Sequence, residues 1–202
     1  MGGLLNKMIE NILELQFQEA VRNSNPQFKR DFLKGIPLAD TLISKLVYVD
    51  GTHPGEYLKF ADGRLAEMPQ VSMFRQFSPY QKRKILVYPA AFIPDTHNQY
   101  ADLLSTLIDH EEFHIKQYNK HSFELWLNSL KCLTSGNAEV FQMGHASTEL
   151  PAFENQLKNA DLRGISPKYR DILERIVESI LKRYQPMNEI TDKKLFYELA
   201  LK

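Results

Sequence analysis

The stretch Asp109-His110-Glu111-Glu112-Phe113-His114 contains His-Glu-x-x-His inside a segment patterned as a long helix. Residues four apart on a helix stand one above the other, so His110 and His114 can both present a ring nitrogen to one tetrahedral zinc ion at about 2.0–2.1 Å. Glu111 is angled toward a water on that ion instead of the ion itself, which is where a general base is needed. At about 100° per residue, Leu103, Leu104, Leu107, Ile108, Ile115 and Tyr118 share one arc, with His110, Glu111 and His114 in it or at its border. Asp102, Ser105, Asp109, Glu112, Lys116 and Lys120 occupy the other side and are expected to face solvent, with Phe113 the one apolar misfit there. Burying three polar groups unpartnered costs several kcal/mol, and a divalent cation partners all three.

Outward from the motif, the chain divides into helical, extended and again helical stretches. Apolar residues at helical spacing predict a helix over Leu4–Val21, closed by Asn25-Pro26, and a shorter one after Pro37. Between Val47 and Phe92 the turn signals Asp50-Gly51, Pro54-Gly55 and Asp62-Gly63 separate short runs rich in aromatic and β-branched residues, the pattern of a small sheet. Lys84–Phe92 is its best strand, with Pro89 marking an edge or the strand's end. The motif helix follows, capped by Asp95 or Thr96 and running to about Lys120. Further helices are expected at 122–134, 148–162, from Ser166-Pro167 to Tyr184, and at 191–201.

Composition excludes several classes of function. The 25 Lys plus Arg are matched by 25 Asp plus Glu, so no net field favours nucleic acid or an anionic membrane as partner. No apolar run approaches the roughly 20 residues that span a bilayer. Met1–Asn11 lacks an export signal, which favours the cytoplasm unless a leader has been trimmed. A lone cysteine, Cys132, rules out an intrachain disulfide and a cysteine-based zinc site, and it reads as a core thiol. Phosphate-binding, dinucleotide-binding and serine-nucleophile motifs do not occur. A di-iron carboxylate bundle needs a second Glu-x-x-His, which the sequence lacks.

A catalytic zinc normally has three protein ligands plus water, so one more ligand is required. Ser147-Thr148-Glu149-Leu150-Pro151-Ala152 offers a helix start with an acid in its first turn. Glu139 and Glu154 compete with Glu149 for the role. Taken together, His110-Glu111-x-x-His114 and the later Glu149-x-x-Ala152 resemble the gluzincin group of zinc metallopeptidases. The resemblance covers roughly Ile85–Gln156 and implies Glu149 as third ligand, with the strand before the motif helix resembling the substrate-binding edge strand of zincins. It implies a peptide or protein substrate, Zn2+ as cofactor, and Glu111 as base, its pKa raised by apolar Ile108 and Ile115.

A developing oxyanion needs a donor besides the metal. His145, four residues before Glu149, is the first candidate, ahead of Tyr118, His121, Tyr169 and Tyr184. Gln117 is placed to brace the site; Asp109, Asn137 and Glu112 are candidate orienters of the ligand imidazoles but read first as solvated helix residues, and His53 and His97 read as ordinary partly exposed histidines. The expected architecture is one α+β, zincin-like domain: a helical part over 1–46, a small, mostly antiparallel sheet over 47–92 packed on the motif helix, and a helical part over 95–202. The expected function is hydrolysis of a peptide bond, with a metal-binding or protein-interaction module that has lost turnover as the alternative. Glu111 favours the enzyme, since a structural site needs ligands but no base.

Overall fold

Asn25-Pro26 both closes one helix and opens the next. Helix α1 (Gly2–Arg22) stops before it, and α2 (Pro26–Gly35), absent from the sequence expectation, begins at the proline. The Asn25 side chain accepts the Gln27 N–H at 2.9 Å, while Pro26 takes the first helical position, where a missing N–H costs nothing. The structure, a computed structural model, describes residues 2–43, 46–50, 57–59, 65–67, 71–74, 84–94, 96–117 and 149–184. The helix expected after Pro37 is the single turn α3 (Asp40–Ile43).

Among the described residues five short strands follow: β1 (Leu46–Tyr48), β2 (Tyr57–Lys59), β3 (Leu65–Glu67), β4 (Val71–Phe74) and β5 (Lys84–Val87). β5 lies between β1 and β4. It pairs antiparallel with β4, Val71 opposite Val87, but parallel with β1, Leu46 opposite Ile85. β2 and β3 form a separate antiparallel pair. The expectation of a mostly antiparallel sheet is therefore corrected at its centre. Turn signals suggested sequential hairpins, whereas β1 finds its partner at the far end of the sheet region, the long crossover that parallel pairing requires. Ile85 and Val87 are fully buried, as befits a central strand, so Lys84–Val87 is not the edge that the resemblance implied. Pro89 marks the strand's end and opens a 3-10 turn, Pro89–Phe92. Among the described residues, β4 is the edge strand beside the motif helix.

The motif helix, α4, starts at Tyr100, not at Asp95 or Thr96. Asp102 in its first turn accepts the N–H groups of Asn98 and Gln99 at 2.9 and 3.2 Å, which caps the helix from within. After Tyr100–Ser105 comes a π-helical turn, Thr106–Glu111, and then α-helix again to residue 117. Beyond it, α5 (149–158) and the short α6 (Ala160–Arg163) lead to Gly164, whose φ of 65° ends the helix in the left-handed conformation that suits glycine. The last described helix, α7 (Pro167–Tyr184), starts at the expected proline, and the Tyr169 N–H donates to Ser166 Oγ at 3.2 Å.

The main core joins α1, α2, the sheet and α4. Phe17, Phe32 and Phe92 meet with ring centroids 6.0–6.3 Å apart, and Leu103 and Leu107 carry the same core to the motif helix. A second cluster, Ala160, Ile165, Tyr169 and Leu173, packs with Phe153 and Leu157. Between the two cores, α4 is covered on both sides. Asp102, Ser105 and Asp109, expected at the solvent face, are buried, because the segment from α5 to α7 packs there, with Ser166 bonding Asp102 and Arg163 bonding Asp109. Of the apolar residues Ile172, Leu173, Ile176, Val177, Ile180 and Leu181 that recur at helical spacing on α7, only Leu173 is fully buried, and Leu181 is exposed. The architecture is α+β, mostly helical with a small sheet, and no described helix is long and apolar enough to cross a membrane.

Candidate metal centre

Three side chains from two helices converge. His110 and His114 come from α4, the former in the π-helical turn, and Glu149 comes from the first turn of α5. His110 Nε2 and His114 Nε2 are 3.1 Å apart, and Glu149 Oε2 lies 3.2 Å from the first and 3.3 Å from the second. A tetrahedral ion with bonds of about 2.0–2.2 Å holds its ligand atoms about 3.3–3.6 Å from one another. The observed triangle matches that within a few tenths of an ångström, so the donor set fits a metal ion such as zinc. Two imidazole nitrogens and a carboxylate oxygen this close together could hold a metal ion.

The surroundings orient each ring. Gln117 Oε1 lies 2.9 Å from His114 Nδ1 and can only accept, so Nδ1 carries a proton and Nε2 is left to face Glu149. Phe153, one turn beyond Glu149 on α5, packs against His110 with centroids 4.4 Å apart. In the metal-free protein, burial disfavours a charged His114, but the Glu149 carboxylate beside it outweighs that and lifts the imidazole to about 9. Burial likewise raises the Glu149 carboxyl, yet the His114 and His110 rings hold it well below the ordinary range. A proton then does the neutralising that a metal ion would do more completely. Glu111 is buried next to this group on the same helix.

Several expected residues have other places. Asp109 is 3% exposed and gripped by Arg163, Nε to Oδ2 at 2.8 Å and the second nitrogen to Oδ1 at 3.1 Å, so it is no solvated helix residue. His97, expected to be partly exposed, is fully buried between the Ala91 carbonyl at 2.8 Å and Thr106 Oγ1 at 3.0 Å, and burial pushes it down to about 4. Tyr169 is taken up by Thr106 and Gln156 rather than offered to a substrate. Glu154 is exposed and Glu112 pairs with Lys116, which leaves Glu149 as the carboxylate of the described cluster. His145, Glu139, Tyr118, His121, Asn137, His53 and Cys132 lie outside the described residues, as does the Tyr184 side chain. Sequence reasoning missed Asn155, whose amide donates to the Asp109 carbonyl at 2.7 Å, and Arg163, because neither carries a spacing signature. Comparison of the chain with protein-family models, curated proteins and solved structures finds no match.

Proposed function

We propose that this protein is a zinc-dependent peptidase of gluzincin type, with His110, His114 and Glu149 as ligands and Glu111 as general base. The observation that carries the reading is the convergence of the three donor atoms at 3.1–3.3 Å with a further buried carboxylate, Glu111, beside them. When bound, zinc lowers the pKa of a water toward about 7 and polarises a carbonyl oxygen. Glu111 takes the proton of the attacking water at its carboxylate and returns it to the leaving amine, which is the work of a base that is not itself a ligand. Gln117 keeps His114 in the tautomer that turns Nε2 toward Glu149. β4, with an edge unpaired among the described residues, runs beside the π-helical turn and offers main-chain groups to an extended peptide. His145 is the proposed oxyanion donor.

The test is metal analysis and peptide cleavage by the parent and by Glu111→Gln. Near-stoichiometric zinc in both, with cleavage of diverse peptides only by the parent and a loss of about 10²–10⁴-fold in the variant, is the expected result. Zinc in both and cleavage by neither establishes a binding module instead.

A further inference from the structure

The two helices that share the metal centre are also tied together through one residue, Asp109, immediately before His110. Its main-chain carbonyl accepts the Asn155 amide of α5 at 2.7 Å, and its carboxylate receives the two-point grip of Arg163 from α6. The Asp109 carbonyl lies in the same peptide plane as the His110 N–H, so fixing that oxygen fixes the plane from which the His110 side chain departs. Asn155 stands six residues after Glu149, about 9 Å further along α5, so the ligand and the tie act at two points of one rod. A second tie enters the same turn at its start, where Thr106 Oγ1 meets Gln156 at 3.3 Å. These bonds act on the π-helical turn Thr106–Glu111, a rarer and less regular geometry than α-helix that needs external support.

We propose that Asn155 and Arg163 are positioning residues for the metal ligands, holding the π-helical turn so that His110 and His114 converge on Glu149. This rests on the metal-centre reading and is independent of whether the centre cleaves peptides. Asn155 acts on direction, through the peptide plane of His110, and Arg163 acts on register, by pairing a carboxylate that burial would otherwise leave uncompensated.

The test measures the zinc dissociation constant by chelator competition, the visible spectrum of the cobalt-substituted protein, and the thermal midpoint of the metal-free protein, each on the full chain. Asn155→Ala is expected to weaken zinc about 10–100-fold and to alter the cobalt bands, with the metal-free midpoint changed by only a few degrees. Asn155→Gln, which keeps the amide on a longer stem, recovers part of the affinity. Arg163→Lys keeps the charge without the two-point grip and falls between parent and Asn155→Ala. Unchanged zinc affinity and an unchanged cobalt spectrum in Asn155→Ala overturn the inference, even if the midpoint falls, because a merely structural bond behaves that way. A parent protein that binds no zinc overturns the metal reading and this inference together. A parent that binds zinc but cleaves no peptide overturns only the peptidase, and the affinities of the variants then still decide the positioning role.

Discussion

His114 shows how one side chain links protonation, stability and metal affinity. Its metal-free pKa of about 9 exceeds the unfolded value, so the stability it contributes is complete below about pH 6.5 and is lost as pH rises through 9. Glu149, held low, contributes above the ordinary carboxylate range and loses that contribution under acid. Zinc needs the unprotonated ring and competes with that proton. Zinc binding at pH 7.5 is therefore expected to release close to one proton, with affinity rising about tenfold per pH unit between about pH 7 and 8 and less steeply toward 9. Calorimetry in buffers of different ionisation enthalpy checks the proton count, and a pH-independent affinity over that range overturns the assignment.

The motif helix is held at its start by Asp102, which the helical wheel placed in solvent, and in its middle by Thr106, which the wheel reading did not single out. Asp102 accepts the Ser166 N–H at 2.7 Å and the Ser166 hydroxyl at 2.8 Å besides its own helix start. Removing it in Asp102→Ala leaves several buried donors without an acceptor, for an expected loss of about 3 kcal/mol in urea unfolding. One turn on, Thr106 meets His97, Gln156 and Tyr169, whose phenol burial pushes up to about 12. Tyr169→Phe deletes the hydroxyl that bonds Thr106 and Gln156, and it is expected to cost about 1–3 kcal/mol while zinc stoichiometry stays unchanged. A wheel drawn for one packing surface does not show this, because the helix has two and the second is lined with partners from 155–169.

The molecule as a whole depends on the aromatic centre of its main core. Phe17 is fully buried against both Phe32 and Phe92, so Phe17→Ala is expected to lose about 3–5 kcal/mol, a large part of the roughly 5–15 kcal/mol a domain has. Zinc at 100 times its Kd returns about 2.7 kcal/mol to any variant that still folds, because only the folded chain brings α4 and α5 together. Paired urea titrations with zinc and with a chelator measure both quantities.

The meeting of His110 with His114 was legible in the chain because four-residue spacing turns directly into a shared helix face, whereas Glu149 was singled out among nearby acids only by resemblance, since an acid in a first helical turn commonly serves the helix itself. The end of α1 was equally readable from Asn25-Pro26, where proline's fixed φ and missing N–H act locally, whereas Pro89 left an edge and a strand end both open and the strand expected to reach Phe92 stops at Val87. The parallel pairing of β1 with β5, the second buried face of α4, the π-helical turn at Thr106–Glu111 and the Arg163 and Asn155 hold on Asp109 were not readable. Each depends on which distant segment packs against which. That choice is made by the summed burial and polar pairing of residues far apart in the chain, and no local spacing encodes it.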